Sequence, residues 1–217
     1  SVITINDTST GTPEPIGYTE FDLKVSSTPS GLTYVPSQST LSTQFSSTYG
    51  WQTAGNASGS TYELYTTNFF SGDHLFECTV LFANSCSDPA IAIWTSGTPS
   101  WQWGTNSSRI SLQQNCTTPY LYGTSQQSSA GSSTPTNSSL PITLHLHHQP
   151  SLSRTRAWVT TIADDWGNET NSRVGSIMQI SNNYGSTAVR CGLSSDYDNA
   201  SLSSVSTNFT KWRITPG

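Results

Sequence analysis

Apolar side chains recur at every second position along much of this 217-residue chain. In YTEFDLKV, Phe21, Leu23 and Val25 fall on one side while Glu20, Asp22 and Lys24 fall on the other, the pattern of a half-buried strand. HLFECTVLFA at 74–83 repeats it with Phe76, Cys78, Val80 and Phe82, and Leu75 and Leu81 predict partial cover on the opposite face. Further strands are expected at TYELYTT (61–67), AIAIW (90–94), RISLQ (109–113), ITLHLHH (142–148), RTRAWVTTI (154–162), SIMQI (176–180), STAVRCGL (186–193) and KWRI (211–214). In ITLHLHH, Ile142, Leu144 and Leu146 take the inward side. Many short strands separated by turn signals predict an all-β, antiparallel β-sandwich of jelly-roll type.

Residues 1–17, with Thr12-Pro13-Glu14-Pro15, read as an N-terminal arm, and residues 18–217 as one sandwich domain. The stretch 26–48 is turn-rich with little periodic content, and SGTPSWQWGTNSS after AIAIW has the composition of an exposed loop. Residues 124–141, TSQQSSAGSSTPTNSSLP, lack apolar side chains to pack and are expected to form a flexible low-complexity loop.

Composition narrows the function. Charged residues make up 10% of the chain, yet 7 Trp, 9 Tyr and 7 Phe supply the large buried areas that disordered chains lack. Net charge is −5 and the few cations are scattered, so no basic stripe exists for nucleic acid. No apolar run approaches the roughly 20 residues of a membrane span, so membrane insertion is not expected. The sequence opens at Ser1 without a signal peptide and reads as a processed chain or a fragment.

Four cysteines allow three pairings if all are bridged. Cys78 and Cys191 lie in inward registers beside Val80 and Val189, whereas Cys86 and Cys116 fall just beyond strand ends. That placement favours Cys86–Cys116 and Cys78–Cys191 disulfides, with one bridge and buried thiol as the plainer alternative. Asn-x-Ser/Thr sequons occur at Asn6, Asn56, Asn106, Asn115, Asn137, Asn168, Asn199 and Asn208. If glycosylated, each marks exposed surface in an extracellular, secreted or particle-surface protein.

Three sets of residues could carry chemistry. Trp101 and Trp103, two apart, share a face in an extended loop. The turns DDWGN (Asp164, Asp165, Trp166, Asn168) and SDYDN (Asp196, Tyr197, Asp198, Asn199) join an aromatic ring to short polar partners. Sugars want that combination, a ring for their C–H faces and carboxylates or amides for their hydroxyls. The same acidic turns offer oxygens to calcium, although no EF-hand spacing is present; plain turns and sandwich-end packing are the ordinary explanations. His145 and His147 share a strand face and could hold a transition metal or a proton, but an exposed polar face accounts for His145, His147 and His148 equally well. For hydrolysis, Glu63 and Glu77 lie on strands, yet nothing in the sequence pairs them across a cleft, and no Gly-x-Ser-x-Gly elbow occurs.

The strand rhythm of HLFECTVLFA, AIAIW, ITLHLHH with RAWVTTI, and AVRCGLSSDYDN resembles the concanavalin A-like sandwiches, the group of laminin-G-type modules and legume lectins. The resemblance implies a carbohydrate- or protein-binding surface at one edge of the sandwich, often with calcium. No metal-ligand motif matches, so no binding residue is carried over. The leading expectation is a non-catalytic extracellular recognition module that binds a glycan or surface polymer. Its rivals are a self-assembling coat, fibre or virion surface subunit, and a glycan-cleaving enzyme.

Overall fold

The alternating segments become strands, and among the described residues six pairings join consecutive strands while seven join strands farther apart in sequence. The computed structural model describes residues 17–35, 45–53, 64–83, 87–96, 106–113, 118–124, 126–131, 141–182, 184–197 and 207–217, with backbone alone at 82–83, 87–88, 113 and 195–197. The strands are β1 (Thr19–Asp22), β2 (Leu32–Tyr34), β3 (Phe45–Ser46), β4 (Gly50–Thr53), β5 (Leu64–Thr66), β6 (His74–Ala83), β7 (Ser87–Trp94) and β8 (Ser107–Gln113). They continue as β9 (Thr118–Gly123), β10 (Gln126–Ser129), β11 (Ile142–Gln149), β12 (Arg154–Thr160), β13 (Met178–Ser181), β14 (Arg190–Tyr197) and β15 (Thr207–Pro216). One 3-10 turn, Pro150–Leu152, links β11 to β12, and no α-helix occurs among the described residues.

Two antiparallel sheets result. The eight-stranded sheet runs β13-β12-β11-β6-β15-β4-β3, with β1 also against β15; the seven-stranded sheet runs β10-β9-β8-β7-β14-β5-β2. Between them lies one apolar cluster containing Trp51, Phe76, Val80, Leu144, Leu146 and Trp212 from one sheet, and Ile91, Ile93, Ile110, Leu121 and Leu193 from the other. Phe21 of β1, Phe76, Cys78 and Val80 of β6, and Ile142, Leu144 and Leu146 of β11 face the core as the alternation predicts, while the Phe82 side chain lies outside the described residues. Gly50 is required where β4 begins: its φ is +86°, and a Cβ there would stand 2.2 Å from the Phe209 carbonyl oxygen of β15.

Several expectations change. Gln126–Ser129, inside the expected loop 124–141, is an edge strand paired with Tyr120–Gly123, and Ala130 beyond it is buried. Residues 132–140 of that loop, and residues 1–16 of the expected arm, lie outside the described residues. The histidines are no exposed polar face: His145 and His148 are 0% and 1% exposed, and His148 continues the inward series of Leu144 and Leu146. Cys78 and Cys191 face the core as expected, but both are free thiols. They stand on β6 and β14, strands of different sheets, and no bridge joins them. Burial, first of all, pushes both thiols well above the ordinary cysteine range, so they remain protonated and inert. Asn208 is no exposed sequon: it is 8% exposed within β15, where its carboxamide oxygen accepts from Gln52 at 3.3 Å.

His148 stacks on Tyr184 (5.5 Å, 21°) at the mouth of the core. Burial, partly opposed by Asp73 and reinforced by His74 and His147, lowers its pKa to about 4. The unfolded chain therefore binds a proton near pH 6.5 that the folded chain refuses until about pH 4. Stability is full above pH 6.5 and falls as pH drops through that window, by an amount on the order of 3 kcal/mol. Urea titrations from pH 8 to pH 4.5 should show this decline, and His148→Phe should flatten it. A stability unchanged between pH 7 and pH 5 would contradict the burial of a neutral imidazole.

Candidate functional site

The outward faces of the two sheets differ in what lies on them. On the eight-stranded sheet the register places Trp158, His145, Glu77 and Arg213 side by side across β12, β11, β6 and β15. All four are 2% exposed or less. They are covered by the segment 161–175, which leaves β12 and folds back over the sheet. Glu77 Oε1 accepts from His145 Nδ1 and from the Gly167 backbone N–H, each at 2.6 Å. His145 Nε2 meets Thr160 Oγ1 at 2.9 Å, and the imidazole stacks on Trp158 (4.9 Å, 11°). Trp158 Nε1 donates to the Asn168 carbonyl at 2.6 Å, and Arg156 grips Glu169 through two hydrogen bonds. A buried carboxylate is tolerated here because a histidine and a backbone amide meet it.

The DDWGN turn is tied into this arrangement. Asp164, at φ +53°, accepts from Thr79 Oγ1 (2.7 Å) and lies 3.5 Å from Lys211 Nζ. The Asp165 carboxylate accepts from Asn168 Nδ2 (3.1 Å), and its backbone N–H donates to Thr143 Oγ1. Trp166 lies with Arg213, whose guanidinium is 5.8 Å from the indole and 3.9 Å from the Tyr18 ring. The carboxylates of the turn thus have separate partners within the fold, and among the described residues no three His, Cys, Asp or Glu side chains converge as metal ligands. Asn168 is engaged at both carboxamide atoms, since its oxygen also accepts from the backbone of Thr170 and Asn171.

Trp101, Trp103, Asp198, Cys86 and Cys116 lie outside the described residues, as do Asn6, Asn56, Asn115, Asn137 and Asn199. In β14 Asp196 and Tyr197 pair with Asp88 and Ser87 of β7. Asn106 is exposed, with φ +67°.

The seven-stranded sheet carries a different outward face. Across β5, β14, β7, β8, β9 and β10 the register aligns Tyr65, Gly192, Ala92, Arg109, Tyr122 and Gln127; the next row holds Ser194, Ala90, Ser111, Tyr120 and Ser129. Ala90, Ala92 and Trp94 form a small second core with Tyr65 packed on it. Toward the edge the face opens. Tyr120 and Tyr122 are half-buried, with rings 5.8 Å apart and only 28° from parallel. The Arg109 guanidinium lies 4.5 Å over Tyr122, and Gln127 and Ser129 are exposed on the last strand. This ladder offers aromatic surface flanked by hydroxyl, amide and guanidinium donors. None of these residues was singled out from the sequence. The available signal was the outward half of TPYLYG, where tyrosines stand at alternate positions where the other strands place charged or small polar residues.

The architecture is that of the concanavalin A-like sandwiches. Arcelin-5, a lectin-like defence protein of Phaseolus vulgaris, aligns over 91% of this chain and 97% of its own (TM-score 0.56, 11% identity). Lectin II from Ulex europaeus aligns over 93% and 99% (TM-score 0.58, 8% identity). A Bauhinia forficata lectin solved with GalNAc does so over 93% and 99% (TM-score 0.53, 11% identity). No protein-family model matches the sequence, and no curated protein matches it.

Glu77→Ala strands His145 Nδ1 and the Gly167 N–H without an acceptor and should cost about 3–5 kcal/mol. His145→Ala should cost a similar amount, and the double variant less than the sum. Urea denaturation measures all three. A loss below about 1 kcal/mol for Glu77→Ala would mean that the 161–175 segment is held by other contacts.

Proposed function

We propose that this protein is a non-catalytic carbohydrate-recognition module that takes its glycan on the outward face of the seven-stranded sheet, along Tyr120 and Tyr122. The observation that carries the reading is the near-parallel, partly buried tyrosine pair with Arg109 on one side and the exposed Gln127 and Ser129 on the other. Tyrosine rings supply apolar contact and a polar tip at low entropic cost. The fold supports the reading at a coarser level, since its solved neighbours include lectins, one of them in complex with GalNAc. Glu77, the carboxylate on the longest expected core strand, is committed to His145 and Gly167, which favours binding over cleavage.

An extracellular or surface-displayed setting belongs to the same proposal. The exposed Asn106 sequon supports it, and no described helix is long and apolar enough to cross a membrane. Trp101, Trp103, Asp196, Tyr197 and Asp198 stay candidates for a second contact surface at the sandwich ends.

A glycan array on the purified protein should return ligands. Tyr122→Ala and Tyr120→Ala should each weaken binding by about tenfold, or 1.4 kcal/mol, measured at a temperature well below each variant's own melting transition. Unchanged affinity in both variants would remove the site from this face, and an array without a single ligand would remove the carbohydrate reading.

A further inference from the structure

Three Asn-x-Ser/Thr sequons have their asparagine among the described residues, and the fold treats them differently. Asn168 holds its own turn with both carboxamide atoms. Asn208 is 8% exposed in a strand between β4 and β6, with its carboxamide oxygen on Gln52. Asn106 is exposed, and its carboxamide has no hydrogen-bond partner among the described residues. Its backbone does the anchoring instead. The N–H donates to Thr124 Oγ1 and the carbonyl accepts from the Thr95 N–H, each at 3.2 Å. The turn has φ +67°, a left-handed conformation that asparagine tolerates better than most residues. A bulky group on Asn106 Nδ2 therefore displaces none of the described contacts.

The hydroxyl that the motif requires two residues further on has the opposite environment. Ser108 is 2% exposed, its Oγ lies 2.6 Å from Tyr184 Oη, and its backbone position pairs with Ile93 of β7 and Gly123 of β9. An enzyme that reads the asparagine and this hydroxyl together needs the stretch unpaired, and the closed sandwich does not offer it so. Tyr184 lies 76 residues further along the chain. During synthesis the Ser108 hydroxyl thus stays available until Tyr184 has been made and the sandwich closes. Burial sets a time window for the reaction and leaves its product exposed.

We propose that Asn106 is an N-glycan acceptor, modified on the nascent chain before β8 docks, and that Asn168 and Asn208 stay bare in folded molecules. This rests on the extracellular or surface-displayed setting above and names the modification that goes with it. The donor is a lipid-pyrophosphate-linked oligosaccharide. The bond from sugar C1 to the pyrophosphate oxygen breaks, a C1–N bond forms at Nδ2, one amide proton is lost, and the lipid pyrophosphate leaves with the bonding electrons. At 8% exposure Asn208 has no exit for a sugar, and a sugar on Asn168 competes with its hydrogen bond to Asp165. On a chain with 10% charged residues, a glycan at Asn106 adds hydrated surface that the side chains supply sparingly.

The test is secretion of the full chain, behind a signal peptide, from a yeast or insect-cell host. Peptides are then mapped before and after peptide N-glycosidase, which leaves aspartate wherever a glycan was attached. The Asn106 peptide should carry a glycan in most molecules, and the Asn168 and Asn208 peptides should carry none. Asn106→Gly, which suits the same φ, should remove that glycan and leave the melting temperature of the deglycosylated protein in place. In vitro, an oligosaccharyltransferase should modify a synthetic peptide of residues 103–110 but not the folded, unglycosylated chain. A bare Asn106 on the secreted protein would overturn the acceptor proposal without touching the setting, because the host supplies the compartment. A glycan on Asn168 or Asn208 of folded protein would overturn the selection by the fold, and transfer to the folded chain would overturn the timing. Asn106 bare in protein from its own source, beside a modified host-made chain, would count against the extracellular setting and leave the acceptor standing.

Discussion

Strict alternation of side chains is the constraint from which the rest of this structure follows. Every strand that gives one face to the shared core has a second face to place, and this chain has few charges with which to place it in water. On the eight-stranded sheet that second face is covered from within. Glu77 and His145 form a buried pair in mid-sheet, and the backbone of Gly167 and the carbonyl of Asn168 close down on it. The cost of burying a carboxylate is offset because its acceptor oxygen is met by two donors, which in turn fix a surface segment that has no strand pairing of its own over Ile162–Asn171.

The two outward faces are therefore disposed differently. The acidic aromatic turn Asp164–Asn168 has the composition of a sugar-binding loop, yet its carboxylates are directed at Thr79, Lys211 and Asn168 and hold the turn in place. On the seven-stranded sheet the central strands carry Gly192, Ala90 and Ala92, too small to project, and larger groups stand along the outer strands. Toward β9 and β10 those groups are tyrosines and an arginine stacked on one another, which are ordered yet incompletely buried. A rigid strand is also a better platform than a loop, because its side chains lose less freedom when a ligand arrives.

The sequence disclosed the strands whose two faces differ sharply in polarity. β1 and β11 oppose apolar and polar residues on their two faces, β6 does so in part, and their inward sets follow from that contrast. β9 lacked it: Pro119, Leu121 and Gly123 point inward while Tyr120 and Tyr122 point outward, so both halves look equally able to be buried. β10, QQSS, carries no apolar residue at all; its place is set by pairing with β9 and by the Gln126 side chain accepting from the Ser181 backbone of β13. The buried polar residues were hidden for a related reason. His148 continues the inward series of Leu144 and Leu146, but a histidine letter reads as surface unless its stacking partner, Tyr184, is known, and Tyr184 is 36 residues away.

Asn208 and the cysteine pair show the same limit from the other side. A sequon is a local three-residue pattern, and a strand buried between β4 and β6 can contain one by composition alone when Ser and Thr make up about a third of the chain. Inward register likewise places Cys78 and Cys191 in the core without deciding whether their sulfurs meet in bonding geometry. Local pattern therefore determines which side a residue faces. Distance across the sandwich, and cover from a distant segment, determine what it can do there. The tyrosine ladder of β9 is where those two determinations leave chemistry facing outward.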